Sequence, residues 1–196
     1  MNVRSALPAD RPAIIETVVA AFVNDPAFRY FFGTDSGYEP KASAFVGYLF
    51  DKRIVHNTIW VTDECEAVSL WSPPDHMLTD DHRRLANELY AAMRQSVGAD
   101  AARNLEIYDA MVDTGLPTDE PYWYLGILAA HPVRAVRGAG KLVMDAGVAH
   151  VRAHNGLAVL ETTNERNPEY YRRAGWGVIN TIESDTPSTT WILASR

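Results

Sequence analysis

The sequence contains one cysteine and lacks long apolar runs, and each of these absences excludes a class of protein. A single cysteine, Cys65, excludes an internal disulfide and is consistent with a reducing compartment. The amino terminus has no apolar core of a signal peptide, and no run of about 18 apolar residues could cross a bilayer. We therefore expect a soluble, cytoplasmic protein with no membrane partner.

Positive charge is also scarce, since 18 lysines and arginines stand against 25 aspartates and glutamates. Proteins that bind the phosphate backbone of nucleic acids concentrate Lys and Arg on one face, and this sequence has no long basic run. Internal repeats and low-complexity segments are absent too. With 196 residues, 47% of them hydrophobic, the sequence predicts one domain (residues 1–196) with a sizeable core and no nucleic-acid partner.

Several catalytic motifs are missing as well. There is no Gly-x-Ser-x-Gly, and Cys65 lies in a predicted turn without a helix terminus to lower its pKa, so hydrolase chemistry has no support. The Arg-Gly-Ala-Gly at residues 137–140 lacks the third glycine of a dinucleotide-binding motif. His150 and His154 have the spacing of metal ligands but no glutamate base and no third ligand, which predicts a solvated helix face and no metal.

A strand, a glycine loop and a helix follow one another in the last third of the chain. Residues 123–130 (WYLGILAA) form a buried-type strand, and the loop at residues 136–141 (VRGAGK) opens a helix. The apolar residues predicted to form one face of that helix are Leu142, Val143, Ala146 and Ala149. Glycines permit close approach of a ligand, and the free amides of a first helical turn attract anionic oxygens. The loop is therefore a phosphate cradle or, at least as often, only a tight turn.

A second buried strand at residues 157–161 is followed by the sequence Asn-Pro-Glu-Tyr-Tyr. Together these pieces resemble the GNAT N-acetyltransferase superfamily. Its acetyl-coenzyme A site consists of a strand, a pyrophosphate-binding loop Q/R-x-x-G-x-G/A, a helix, and a parallel strand followed by a short N-x-x-x-(F/Y)-Y helix. Gly138 and Gly140 fall on the two glycines of the family loop. Asn167 falls on the asparagine that faces the pantetheine arm, and Tyr171 on the tyrosine that faces the thioester sulfur.

The resemblance implies an α/β chain with the GNAT fold, a mixed central sheet of about six to seven strands flanked by helices, with a helical insertion before the cofactor strand. It also implies acetyl-coenzyme A as co-substrate, with no metal. Ala135 departs from the family, which usually has Gln or Arg at this position. Phosphate binding should therefore rely on backbone amides and on the side chains of Arg137 and Lys141. The implied cofactor-binding residues are Leu128, Ala129 and Ala130 on the strand, Arg137, Gly138, Ala139, Gly140 and Lys141 in the loop, and Asn167 and Tyr171.

Within the superfamily the chain is most similar to puromycin-type antibiotic N-acetyltransferases, through short pieces at residues 20–22, 59–61, 120–125 and 190–191. The resemblance implies acetyl transfer to an amine of a small molecule, antibiotic-like or a metabolite, by direct attack in a ternary complex. Two alternatives stay open. One is an acyl-coenzyme A binding or sensing protein without transfer, and the other is a protein N-acetyltransferase. Either a monomer or a homodimer is expected.

Two residues are the predicted catalytic groups. By resemblance, Tyr171 is the general acid that protonates the departing thiolate. Some superfamily members carry a glutamate base eleven residues before the Gln/Arg position of the loop, but that count reaches Tyr124 here, and residues 122–130 contain no acid. The nearest candidate base is Glu161, at the end of the next strand; a strand-end carboxylate bonded to local amides is an equally good interpretation.

The acceptor side of the site is predicted from aromatic residues. Phe28 and Tyr30 belong to a segment with four aromatics in five residues, and with Tyr124 they are the predicted substrate-binding residues. Packing between two helices is the alternative, at even odds, because aromatics dominate cores as often as ligand pockets. The stretch at residues 80–111 reads as one or two helices that wall the acceptor cleft, with a lid or a dimer contact as equally good interpretations.

The remaining pattern predicts the outer parts of the sheet. The predicted elements are a strand at residues 2–6, a helix at 8–22 with Asp10 as its N-cap, a helix at 40–55, a hairpin of 57–61 with 67–71, and a terminal antiparallel pair of 176–182 with 189–194 around residues 183–188.

Overall fold

The computed structural model describes residues 1–185 and 187–196. Its strands are β1 (Val3–Ser5), β2 (Ile59–Thr62), β3 (Ala67–Ser72), β4 (Tyr122–Ala130), β5 (Leu157–Thr162), β6 (Gly177–Ile182) and β7 (Thr190–Ser195). Its α-helices are α1 (Arg11–Phe22), α2 (Pro26–Phe32), α3 (Tyr38–Ile54), α4 (Asp80–Val97), α5 (Ala99–Asp113), α6 (Ala139–Ala153) and α7 (Asn167–Arg173). The strands form one sheet in the order β1-β2-β3-β4-β5-β7-β6. Neighbouring strands are antiparallel except β4 and β5, which are parallel.

Each face of the sheet has its own core. Helices α1, α2, α3 and α5 supply one apolar cluster, which includes Ile14, Phe28 and Leu105. Helices α6 and α7 supply the other, together with four tryptophans: Trp60, Trp71, Trp123 and Trp176. Among the described residues, no helix is both long and apolar enough to cross a membrane.

A bulge at Gly126 bends β4 where it passes between the two cores. Leu70 of β3 pairs with Ile127, but the next residue, Trp71, pairs with Leu125, so Gly126 is the extra residue in β4. A bulge reverses the alternation of side chains beyond it. Leu125 accordingly packs in the α6 cluster, whereas Ile127 and Ala129 pack in the α1 cluster.

Strands β4 and β5 diverge beyond the bulge. In the described part of the chain they pair only from Tyr122 to Tyr124, opposite Leu157 to Val159. Further along, β4 continues to pair with β3 as far as Ala130, and β5 continues with β7. A gap therefore opens between the carboxyl ends of the two parallel strands, as the resemblance implied.

The predicted hairpin, the middle helix and the terminal strand pair are confirmed. The insertion at residues 80–111 is two helices, α4 and α5, which separate at Gly98 because its φ of 85° cannot continue a helix. The turn predicted at residues 183–188 includes residue 186, which lies outside the described residues. The chain thus follows the predicted order of elements, with α2 as an additional helix where the sequence analysis identified only an aromatic segment.

The start of the first helix differs from the prediction. Helix α1 begins at Arg11, after a 3₁₀ turn, and the carboxylate of Asp10 forms no capping bond to it. Asp10 instead accepts a hydrogen bond from the amide of Leu7 at 2.7 Å and pairs with Arg4 at 2.6 Å. Asp10 is therefore the N-cap residue of α1 as predicted, but its carboxylate forms an ion pair to β1 and no capping hydrogen bond.

The predicted buried face of α6 was wrong in part. Leu142 is 44% exposed and Ala149 is exposed as well. The residues that α6 buries are Ala139, Val143, Met144, Gly147, Val148 and Val151. Close contact with β3 determines which face of α6 is buried. At this contact the Ser69 hydroxyl donates to the Val143 carbonyl at 2.8 Å.

Gly147 should be essential for the packing of α6. A Cβ at this position would lie 2.2 Å from Nε1 of Trp71, which is fully buried. We expect Gly147→Ala to lower the free energy of unfolding by about 1–3 kcal/mol, measured by urea denaturation, because an overpacked core must shift. Gly177→Ala is the matched control, since a Cβ there meets no atom within 4 Å. Equal stability of the two variants would contradict the prediction.

Candidate active site

A cavity of about 210 Å³ lies below the gap between β4 and β5. Helices α2, α3, α4 and α5 wall one side, and the end of β5 and helix α7 close the other. Its polar and charged lining includes Asp25, Tyr48, Lys52, Arg53, Tyr90, Tyr108, Asp109, Tyr124, Glu161, Asn167 and Tyr171. The cavity thus brings the predicted acid and the candidate base together.

Tyr124 and Glu161 form a hydrogen-bonded pair across the gap. The Tyr124 hydroxyl donates to the Glu161 carboxylate, although the residues belong to different strands. Burial raises the pKa of Glu161 to about 7, while the bond from Tyr124 opposes that rise. The Glu161 carboxylate is therefore bonded to a side chain of the neighbouring strand. The interpretation as a strand-end carboxylate bonded only to local amides does not account for this bond. A carboxyl group with this pKa changes protonation near neutral pH.

Arg53 is a buried cation beside this pair, and sequence analysis did not find it. Only 3% of the residue is exposed, its Nη1 donates to the Leu49 carbonyl at 3.2 Å, and its Nε has no partner among the described residues. A Cβ at Gly126 would lie 2.6 Å from Nη2, so the bulge glycine leaves room for the guanidinium. The positive charge of Arg53 lowers the pKa of Glu161 and so favours the carboxylate.

Tyr171 and Asn167 reach the cavity from the opposite side, on α7. Tyr171 is 7% exposed and packs against Trp176, and burial raises the pKa of its hydroxyl well above the ordinary value of 10. This tyrosine therefore keeps its proton at neutral pH. The Asn167 side chain donates from Nδ2 to Thr162 Oγ1 at 2.8 Å, and Arg166 occupies the N-cap position, so Asn167 is not a helix cap.

The gap leaves backbone groups of β4 without a strand partner. The His131 amide donates to the carbonyl of Glu66, the residue before β3, at 2.7 Å. Successive amides of a strand point to opposite sides of it. Ala129 therefore directs its amide towards β3, whereas Leu128 and Ala130 direct theirs into the gap. Two of the three predicted backbone donors face the gap, and the amide of Ala129 does not.

The glycine loop lies directly after this strand. Gly138 has φ 92°, which glycine adopts without strain, and it is the N-cap of α6. A Cβ at Gly140 would lie 3.8 Å from Cβ of Ala130, so the first turn of α6 stands at the mouth of the gap. Amides of a first helical turn have no intrahelical acceptor. Arg137 is exposed, and Lys141 pairs with Asp145 one turn along the helix.

The aromatic segment serves both as core and as cavity wall. Phe28 is 4% exposed, packs on Phe22 with ring centroids 4.5 Å apart, and lines the cavity. Tyr124 lines it as well. Tyr30 is not among the lining residues, and its carbonyl accepts from Asn104 at 2.8 Å. The position of Tyr30 therefore gives no support to a substrate contact.

The helical insertion supplies part of the acceptor wall. Leu105, Tyr108 and Asp109 of α5, with Tyr90 of α4, line the cavity. Asp109 is exposed at this wall, and desolvation by the surrounding residues raises the pKa of its carboxyl group. Of the roles left open for residues 80–111, walling the cavity is the one that their contacts support.

Residues without a place in the cavity include the two histidines. His150 and His154 stack with ring centroids 4.5 Å apart beside Trp123. No group of three or more metal-ligating side chains occurs in the described part of the chain. Burial raises the pKa of the Cys65 thiol to about 11, which opposes a nucleophilic role.

No protein-family model matches the chain. Among solved structures, a Corynebacterium glutamicum protein described as "histone acetyltransferase HPA2 and related acetyltransferase" is 25% identical, with a TM-score of 0.71 over 99% of this chain and 94% of that one. A Drosophila melanogaster polyamine N-acetyltransferase is 15% identical (TM-score 0.61, 98% of each chain). An Aedes aegypti arylalkylamine N-acetyltransferase 2 is 11% identical (TM-score 0.68, 99% of this chain, 97% of that one). The mixed seven-stranded sheet with its flanking helices is therefore the GNAT acetyltransferase fold.

Proposed function

We propose that the protein transfers acetyl from acetyl-coenzyme A to an amine of a small molecule. The observation that carries the proposal is the gap between β4 and β5, which opens onto one cavity containing the Tyr124–Glu161 pair and Tyr171. Two structural neighbours are a polyamine and an arylalkylamine N-acetyltransferase, which agrees with an amine acceptor.

The residues around the gap fit acetyl-coenzyme A. The free amides of Leu128 and Ala130 suit the amide groups of a pantetheine arm, which can complete the interrupted ladder as a strand would. The first turn of α6, opened by Gly138, suits the pyrophosphate. Asn167 faces the same cavity. When bound, acetyl-coenzyme A supplies an acetyl group activated as a thioester.

The side chains of the cavity divide the proton transfers between them. Glu161 accepts a proton from the acceptor amine, directly or through a water, and Tyr124 holds its carboxylate at the gap. Tyr171 donates a proton to the departing sulfur, because its raised pKa keeps the hydroxyl protonated. No covalent bond between the acetyl group and the protein is needed for this direct attack.

The lining of the cavity favours a cationic amine with an apolar body. Aromatic rings such as Phe28 and Tyr108 accommodate apolar groups. The carboxyl groups of Asp25, Asp109 and Glu161 attract a positive charge and outnumber the two cations of the lining, Lys52 and Arg53. A protein terminus or lysine needs an open groove, which the aromatic segment and α5 close. The presence of both an acid and a base argues against a sensing protein without transfer. An antibiotic-like acceptor rests only on the short similarities to puromycin-type enzymes.

A screen of small amines for coenzyme A release by the purified protein tests this function. At least one cationic amine should accelerate release well above the rate without acceptor. Absence of release with every amine, together with a clear rise in melting temperature by acetyl-coenzyme A, would instead support the sensing alternative.

Gly140→Asp should abolish the rise in melting temperature that acetyl-coenzyme A produces. The substitution places a carboxylate at the first turn of α6, where it repels the pyrophosphate. Gly140→Ala should keep most of the rise, since its Cβ would be in ordinary contact, 3.8 Å from Ala130. Gly177→Asp controls for the added charge. An unchanged rise in Gly140→Asp would remove the loop from the cofactor site.

A further inference from the structure

Lys52 occupies a wall between two cavities. It lies in the last turn of α3, and its Nζ donates to the Tyr48 hydroxyl at 3.0 Å, 4.7 Å from the centre of that ring. Its side chain lines the 210 Å³ cavity that also contains Tyr171, and a neighbouring cavity of about 820 Å³. The only residues that line both cavities, within the described chain, are Lys52, Asp109 and Tyr124. An amine nitrogen of the protein itself therefore lies in the space proposed for the acceptor.

The surroundings of Lys52 favour its neutral form. Desolvation and the adjacent guanidinium of Arg53 together lower the pKa of Lys52 to about 7, against an opposing effect of Asp109. The other titratable groups that line the two cavities are Tyr48, Tyr90, Tyr108, Asp113 and Tyr171 on helices, Tyr122, Tyr124 and Glu161 on strands, and Asp25, Asp75, His76, Asp119 and Glu120 between these elements. The neutral form of Lys52 is therefore more populated at neutral pH than that of an ordinary lysine, whose pKa is ~10.4. Only the neutral amine is a nucleophile.

The other lysines do not share this position. The sequence contains three lysines, Lys41, Lys52 and Lys141. Lys41 and Lys141 line neither cavity, and Lys141 is paired with Asp145. They are therefore internal references for the reactivity of Lys52.

We propose that Lys52 is a self-acetylation site of this protein, modified by the acetyl-coenzyme A bound in its own gap. The neutral Nζ attacks the thioester carbonyl carbon; a carbon–nitrogen bond forms and the carbon–sulfur bond breaks. Coenzyme A leaves as the free thiol, Tyr171 protonates the sulfur, and the proton that Nζ loses restores the Tyr171 hydroxyl. This step rests on the proposed function, because it uses the same donor and the same acid.

Acetylation changes the charge of the wall between the cavities. The amide that forms cannot be protonated, so the cation facing Asp109 is lost. Arg53 would then be the remaining Lys or Arg side chain among the described residues that line the cavities, which also contain several carboxyl groups. A cationic acceptor is attracted more strongly to such a wall, so self-acetylation would adjust acceptor affinity.

The test is the rate of acetylation of each lysine in the intact protein. The protein is incubated with acetyl-coenzyme A and no amine acceptor, and acetylation is quantified by peptide mass spectrometry. We expect Lys52 to be acetylated ~10-fold or more faster than Lys41 and Lys141, because far more of it is neutral. Gly140→Asp should remove this preference, since the donor no longer binds. Equal rates at the three lysines, or unchanged Lys52 acetylation in Gly140→Asp, would overturn the proposal.

A chemical probe separates reactivity from access. An acetyl ester of N-hydroxysuccinimide needs no coenzyme A site, and its labelling of Lys52 should be half-maximal near pH 7. Labelling by this reagent without labelling by acetyl-coenzyme A would show a neutral amine out of reach of the thioester, which overturns self-acetylation. The proposed function fails by a different observation, the absence of coenzyme A release with every amine of the screen.

Discussion

Replacing Tyr171 by Phe is expected to lower kcat by ~10²-fold or more, because the departing sulfur loses its proton donor. The hydroxyl is the only group removed, and the ring still fills its place against Trp176. Acetyl-coenzyme A should therefore raise the melting temperature of the variant as much as that of the wild type. Turnover of a good amine acceptor and thermal melting are the two measurements.

Tyr170→Phe is the matched control. Its ring is 5.3 Å from that of Tyr171, but Tyr170 is 41% exposed and does not line the cavity. We expect its turnover to stay near that of the wild type. If Tyr171→Phe also turns over at nearly the wild-type rate, Tyr171 has no part in the chemistry and its role is packing.

Glu161→Gln is expected to lower kcat/KM by ~10²-fold, because glutamine cannot accept the amine proton. Burial holds the pKa of Glu161 at about 7, above its ordinary value, so the carboxylate predominates only above that pH. The wild-type rate should therefore rise with pH through a midpoint near 7, and the variant should lack that rise. A pH–rate profile of both proteins with one acceptor is the measurement.

Tyr124→Phe sharpens the same experiment. The hydrogen bond from Tyr124 lowers the pKa of Glu161, so its loss should move the midpoint to higher pH and keep the rise itself. If the acceptor amine loses its proton to solvent instead, all three profiles follow the pKa of the amine. Identical profiles for the wild type and Glu161→Gln would exclude Glu161 as the base.

The same raised pKa has a consequence for stability. A carboxyl group whose pKa is higher in the folded than in the unfolded protein stabilises the folded state at low pH. For Glu161 this contribution is fully present below the unfolded pKa of about 4.5 and is lost as the pH rises through about 7. Glu161→Gln has no such loss. The variant should therefore gain stability relative to the wild type between pH 5 and pH 8, as urea denaturation at both pH values would show.

Sequence patterns were sufficient for the order of elements because each element has a local signal. The glycine loop, the short apolar runs of β2 and β3, and the turn at Gly175 can each be identified within a few residues. The buried face of α6 could not be, because Leu142 and Val143 are equally apolar. Contact with Trp71, far away in the sequence, decides which of them is buried.

The candidate site was predicted less completely, for the same reason. Tyr171 and Glu161 were identified as single residues, but the bond between Tyr124 and Glu161 depends on the register of two strands 37 residues apart. Arg53 and Lys52 look like ordinary cations at the end of a helix. Their burial results from the later insertion α4–α5 and from the bulge at Gly126, which no local pattern in α3 reports.

The hydrogen bond across the gap also bears on how such enzymes diverge. Because Tyr124 and Glu161 touch, an exchange of the two side chains would leave the charge, the size and the hydrogen bond of the pair nearly unchanged. The acid would then lie on β4, where some superfamily members carry it. A lineage could pass from one arrangement to the other through a variant with carboxylates on both strands. A search for relatives that demands an acid on one particular strand would therefore overlook proteins that keep it on the neighbouring one.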